Sequence, residues 1–298
     1  MSTALAARGL GMRYGRRWAL SDCTLTIPER TITGLVGPNG AGKTTLLNLA
    51  VGLLKPTTGA IEVLGAPPAG SSGQLARVGY VAQDTPVYSS LTVADHLRLG
   101  AKMNPGWDAA AAVSRIERLG LDPRQKAGKL SGGQRAQLAL TLAIAKRPEV
   151  LILDEPVASL DPLARREFLR ALMEAAAEHE LTVLLSSHLV ADLERICDYL
   201  VVLDAGRVQL SGEVEQLLDT HHLVTGPRRD PADLPPDWDL ITASHTDRQS
   251  TLTIRTDFAP ADPAWTVGTL SLEDLVLAYM SRAADPVATA AATAGALR

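Results

Sequence analysis

Residues 30–54 read RTITGLVGPNGAGKTTLLNLAVGLL, and the fold turns on them. A short apolar run leads into turn residues, and leucines at helical spacing follow. Gly37, Gly40 and Gly42 with Lys43 and Thr44 satisfy G-x-x-x-x-G-K-[ST] in the strand, loop, helix order that this motif requires. In such a loop, here Gly37 through Thr45 with Pro38, Asn39 and Ala41 inside it, backbone N–H groups and a helix N-terminus take phosphate oxygens. Side chains at the glycine positions would obstruct them. Lys43 suits the β- and γ-phosphates, and the Thr44 hydroxyl suits Mg²⁺.

Working outward, 149–156 (EVLILDEP) and 181–188 (LTVLLSSH) are short apolar runs ending in polar residues, the pattern of buried parallel strands. Between them lies a helix with Asp161 as N-cap and Pro162 at its first position. The alternation predicts an α/β fold with right-handed crossovers. Asp154 and Glu155 fall at the carboxyl end of their strand, where ligands bind in open sheets. Strand alternation points them to opposite sides, so Asp154 is assigned to the Mg²⁺ shell and Glu155 to the water that attacks the γ-phosphate. Alone, the pair is equally an acidic turn before Pro156. His188 can contact the γ-phosphate or be a structural histidine. Gln83 can serve Mg²⁺ or the attacking water, and Tyr14 can stack on adenine or be a half-buried strand aromatic.

The stretch 129–148, KLSGGQRAQLALTLAIAKRP, starts a helix on two glycines. Ser131 and Gln134 satisfy an S-x-x-Q capping box, which leaves Gly132 and Gly133 unexplained, since each costs about 1 kcal/mol relative to alanine within a helix. Bare N–H groups beside a serine hydroxyl make an anion site, a second phosphate cradle.

With LSGGQ at 130–134 the chain resembles the nucleotide-binding subunits of ABC transporters, over roughly residues 4–218. The resemblance implies ATP and Mg²⁺ as cofactors and a P-loop core of ABC ATPase type, with an antiparallel β subdomain and a helical insert at about 85–147. It also implies a head-to-tail pair in which Ser131, Gly132, Gly133 and Gln134 of one copy close on the γ-phosphate held by the other. Tyr14 becomes the adenine-stacking residue, Gln83 the Q-loop glutamine at the metal, His188 the switch histidine and Asp161 the D-loop aspartate at the interface. Ala158-Ser159-Leu160-Asp161 departs from the family's S-G-L-D by losing one hydroxyl. The family's glycine before the P-loop strand is replaced near Glu29 and Arg30, which should alter only a turn.

The remaining expectations follow from composition and from the resemblance. A chain of 298 residues, 46% hydrophobic, builds a sizeable core, and a net charge of −4 gives no reason to expect a nucleic-acid partner. Cys23 and Cys197 are too few for a disulfide scaffold and read as small core residues. No apolar run is long enough to cross a bilayer, so a membrane role is peripheral, and the resemblance implies that it is on the cytoplasmic side through separate permease subunits. The expected organisation is an ATPase domain at 1–218, an accessory α+β region at 219–282 containing a hairpin and an amphipathic helix, and a disordered tail at 283–298. The helix sequence SLEDLV from Ser271 is similar to the closing segment of ATPase subunits in bacterial drug-exporter-like systems, which implies export. The implied partner is a second copy or a related ATPase subunit. The rival readings are a soluble ABC ATPase in an assembly complex and a non-hydrolysing regulator.

Overall fold

The computed structural model describes residues 2–84, 87–230, 233–258, 260 and 262–284. The chain opens with two long strands, β1 (Thr3–Tyr14) and β2 (Arg17–Pro28), joined by a tight turn at Gly15 and Arg16. There follow β3 (Ile32–Val36), α1 (Lys43–Ala50), β4 (Thr58–Val63), α2 (Ser72–Arg77) and β5 (Val78–Val81). The helices α3 (Val93–Met103), α4 (Ala109–Arg118) and α5 (Gly132–Ala145) come next. Strand and helix then alternate through β6 (Val150–Leu153), α6 (Pro162–His179), β7 (Thr182–Ser187), α7 (Val190–Leu193) and β8 (Tyr199–Asp204). The chain continues with β9 (Arg207–Glu213), α8 (Val214–Thr220), β10 (His221–Pro227), β11 (Asp239–His245), β12 (Gln249–Arg255), β13 (Thr266–Gly268) and α9 (Leu272–Ala284).

The central sheet has the order β5-β6-β7-β3-β8-β9, parallel except for β9 at its edge. Its inner strands β3, β6, β7 and β8 are mostly apolar because both faces are covered. Leu35, Ile152, Leu184 and Val201 point to one layer, where α1 brings Leu46, Leu47 and Leu49 against the sheet β2-β1-β4. Val36, Leu151, Leu153, Val183, Leu185 and Val202 point to the other, against α5, α6 and α9. This puts the carboxyl ends of β3, β6 and β7 side by side, and the loop after each carries chemistry.

The helical insert forms as expected, with α3 and α4 sharing a small core of Val93, Ile116, Leu121 and Leu138 with α5. Thr85, where the insert was expected to start, lies outside the described residues. The helix after the glycine loop stops at Ala50, and Gly52 turns the chain beyond it at φ +77°. Arg30 adopts φ +60° in the turn before β3, a left-handed conformation that favours glycine, although an arginine stands there.

Beyond α8, the expected hairpin is β11 with β12, and it belongs to a four-stranded antiparallel sheet, β11-β12-β10-β13. That sheet has its own core of Val224, Trp238, Leu252, Ile254 and Trp265. The closing helix does not belong to it alone: Leu272, Leu275, Val276 and Tyr279 join the large core, together with Ile241 from β11. The expected tail at 283–298 is corrected at its start, since Ala283 and Ala284 end α9; residues 285–298 lie outside the described ones.

Cys23 and Cys197 are both free. Burial pushes the Cys197 thiol up to about 12, as suits an inert packing group. Among the described residues no helix is long and apolar enough to cross a membrane.

Candidate nucleotide site

The loop between β3 and α1 is shaped first by its own protein surroundings. A Cβ at Gly37 would stand 2.0 Å from the Leu203 carbonyl oxygen, and one at Gly42, where φ is +107°, would stand 2.6 Å from that of Ala19. These two glycines are therefore required by neighbouring backbone before any phosphate is considered. At Gly40 a Cβ would meet nothing within 4 Å, so only there does the absent side chain leave open space over the loop. Gly42 caps α1 with no side chain, leaving the first N–H groups of that helix to the cleft.

That cleft, of about 400 Å³, is lined by Asn39, Gly40, Ala41, Gly42, Lys43, Thr44 and Thr45 at one end and by Tyr14, Arg17 and Trp18 at the other. Gln83 and Glu155 complete it. Tyr14, at the end of β1, is about half exposed and borders the cleft, so part of its ring surface faces the space where a base would lie. Gln83 also borders a second hollow with Glu155, Arg135, Ala158 and Ser159, beside the helical insert.

Three charged or polar side chains form a chain that starts in the cleft with Lys43 and Glu155 and ends at His188, outside its lining. Lys43 Nζ donates to the Gly37 carbonyl at 2.7 Å and to that of Pro38 at 3.3 Å, and stands 3.4 Å from Glu155 Oε1. Glu155 Oε2 lies 3.1 Å from His188 Nδ1. A carboxylate only accepts, so Nδ1 carries the proton and Nε2 is left for another partner. Lys43 and Glu155 are both largely buried, while His188 is open to solvent.

Asp154 and Glu155 do have different surroundings, although strand alternation is not the reason. β6 stops at Leu153, and the two carboxylates part because Glu155 takes a left-handed φ of +45°. Asp154 is buried; its Oδ1 accepts from Ser186 Oγ at 2.7 Å, and its Oδ2 has no hydrogen-bond partner. The same Ser186 oxygen accepts the Glu155 N–H at 2.8 Å. Nearby, burial and the charge of Asp154 push the Tyr80 hydroxyl up to about 12, and it donates to Asn48 Oδ1.

An orphaned, buried carboxylate oxygen is the donor that a hard cation needs. Among the described residues no group of three or more His, Cys, Asp or Glu side chains gathers as a cage. The arrangement thus fits Mg²⁺ held by a carboxylate, a hydroxyl and the nucleotide's own phosphates rather than a dedicated protein site.

Ser131, Gly132, Gly133 and Gln134 do not line this cleft. They start α5 with the expected reciprocal capping box, Gln134 N–H to Ser131 Oγ and Ser131 N–H to Gln134 Oε1. The glycine pair splits: a Cβ at Gly133 would press within 3.0 Å of Ala164 Cβ on α6, whereas one at Gly132 would meet only Leu160 at 3.9 Å. Packing explains Gly133, and Gly132 alone is left for an approaching ligand. Asp161 also stays outside the cleft, capping α6 by accepting from the N–H groups of Leu163 and Ala164. The residue that sequence reasoning missed is Ser186, which sits beside another serine at the end of β7 and carries no motif.

A family model described as ABC transporter matches residues 20–158. The chain is 32% identical over 211 residues to the bacitracin transport ATP-binding protein BcrA of Bacillus licheniformis, covering 70% of this chain and 69% of that one. It is 35% identical to the thiamine import ATP-binding protein ThiQ of Shigella flexneri, covering 65% and 86%. A solved structure of an ATP binding subunit of an ABC transporter superposes with a TM-score of 0.65 at 31% identity, covering 72% of this chain and 92% of that one. With a phosphate loop, a signature helix and paired carboxylates in this order, on a fold matched along most of the length of known cassettes, the chain belongs to the ABC transporter ATP-binding family and is an ATPase.

Proposed function

We propose that the protein is the motor subunit of an ABC exporter, in which two copies, or one copy and a related ATPase subunit, pair head to tail around two MgATP. The observation that carries this reading is the Lys43–Glu155–His188 chain at the mouth of the glycine loop beside the orphaned Asp154 oxygen. Lys43 exchanges its carbonyl and carboxylate contacts for the β- and γ-phosphates. Glu155 then holds the attacking water, with His188 Nδ1–H fixing the orientation of the carboxylate. Asp154, Thr44 and Gln83 hold Mg²⁺. Bound there, the cation neutralises phosphate charge. Tyr14 stacks on the base, and residues Gly37 through Thr45 enclose the phosphates.

Ser131, Gly132, Gly133 and Gln134 lie away from their own cleft, which supports their serving the other copy's γ-phosphate, with Asp161 at the seam. Binding then closes the pair and hydrolysis opens it, a ligand-driven shift between two states. Motion passes to a separate membrane permease docked beside the helical insert, which holds the protein at the cytoplasmic face. The relatives' names cover both bacitracin transport and thiamine import; the SLEDLV start of the last helix supports export.

Glu155→Gln keeps the phosphate cradle and removes the base, so it is expected to elute as a dimer with ATP while wild type does not. A variant that stays monomeric at saturating ATP would overturn the sandwich. Capture of that dimer from detergent-solubilised host membranes is expected to bring down a polytopic membrane protein in stoichiometric amount; recovery of soluble partners alone would overturn the transporter assignment.

A further inference from the structure

We infer that Ser186 is a positioning residue that aims the metal carboxylate and fixes the backbone of the hydrolytic one through a single hydroxyl. The inference rests on the assignment of Asp154 to the cation and Glu155 to the water. Ser186 sits at the carboxyl end of β7, fully buried, in a strand whose Val183, Leu184 and Leu185 enter the apolar layers on its two faces. Its Oγ has one proton to give. Asp154 can only accept, so the proton goes to Oδ1 at 2.7 Å, and a lone pair of the same oxygen receives the Glu155 N–H at 2.8 Å.

Two consequences follow from that fixed direction. With Oδ1 held by the Ser186 proton, the carboxylate is fixed in one orientation, and Oδ2 is the oxygen that has no protein partner and is left for a cation or one of its waters. Meanwhile Glu155 is held at φ +45°, a conformation uncommon for a residue with a side chain, by a bond to its own N–H. A serine that served only packing would need neither partner; this one ties β6 to β7 at the point where the two catalytic assignments meet. Partners of this kind, which orient a ligand without touching the metal, typically change metal affinity by about 10-fold to 100-fold when removed.

The test is a Mg²⁺ titration of fluorescent ATP-analogue binding, which needs no turnover. For Ser186→Ala the Mg²⁺ concentration at half-maximal binding is expected to rise about 10-fold. In EDTA, the affinity for the same analogue is expected to match wild type, because the glycine loop is untouched. An unchanged Mg²⁺ midpoint would overturn the inference, and so would an equal loss of affinity with and without the cation, which marks a merely structural serine. In the Asp154→Asn background Ser186→Ala is expected to add no further shift, and a full additional shift would overturn the coupling. If Asp154→Asn by itself leaves the Mg²⁺ dependence intact, the assignment of Asp154 fails, and that result is distinct from failure at Ser186 alone.

Discussion

His188 shows what one side chain contributes when its partner is buried. Its Nδ1 bond holds Glu155 in the orientation that also reaches Lys43, so His188→Ala frees the carboxylate to turn. ATP turnover is expected to fall by about 10²-fold or more with little change in nucleotide affinity, measured by steady-state hydrolysis beside equilibrium binding. Asp161 separates two roles in the same way. Asn caps helices as well as Asp, so Asp161→Asn should leave the melting temperature unchanged, and any loss of turnover then reports the seam between copies rather than α6. The assignment of His188 came only with the family resemblance; the glycine loop and the carboxylate pair were legible, because each follows an apolar run and the runs alternate with helices. The physical reason for Gly37 and Gly42 was not. Their neighbours, the carbonyls of Leu203 and Ala19, are distant along the chain, and only the folded sheet brings them to the loop. Ser186 was hidden for the same reason, since nothing local distinguishes a serine that bonds across two strands.

At the scale of the helix, α5 is where pattern and packing divide the work. The capping box was readable because S-x-x-Q is a local interaction, and the structure has both of its bonds. Which glycine mattered was unreadable, because the answer lies on α6. Gly132→Ala is expected to stabilise the isolated protein by up to about 1 kcal/mol, as alanine is the better helix former and nothing stands in its way. Gly133→Ala is expected to destabilise or at best be neutral, since its methyl would force α5 away from Ala164. Thermal melts of the two variants settle the sign of each. If Gly132 is the one kept bare for the other copy's nucleotide, Gly132→Ala will also lose turnover while gaining stability, a combination that a helix-start role does not produce. Ser131→Arg belongs to the same argument: turnover is expected to vanish while ATP affinity of the monomer holds, and a large loss of monomer affinity would place the signature beside its own cleft.

Across the whole molecule, a buried histidine adds a polar tie to the apolar contacts that join the two parts of the chain. His221 Nδ1–H donates to the Leu217 carbonyl at 2.7 Å, and its Nε2 accepts from the Tyr279 hydroxyl at 2.9 Å, tying α8 to α9. Burial lowers its pKa below the usual 6.5, and burial lowers that of neighbouring His222 as well. The unfolded chain therefore takes up more protons than the folded one as pH drops through about 6.5, so stability is whole above that value and declines below it. The melting temperature is expected to fall between pH 7 and pH 5, and a His221→Gln/His222→Gln variant is expected to flatten that part of the profile. An amphipathic last helix was legible in SLEDLVLAYM; its destination was not, because amphipathicity names a face and not the surface that receives it. That destination reaches into the protein's synthesis. α9 contributes Leu272, Leu275, Val276 and Tyr279 to the layer that also covers the central sheet, yet it leaves the ribosome after every residue assigned to ATP. A nascent chain that already has its phosphate loop and both carboxylates still has an open layer beside β8 and α7, so the ATPase completes its fold only once this helix has been made.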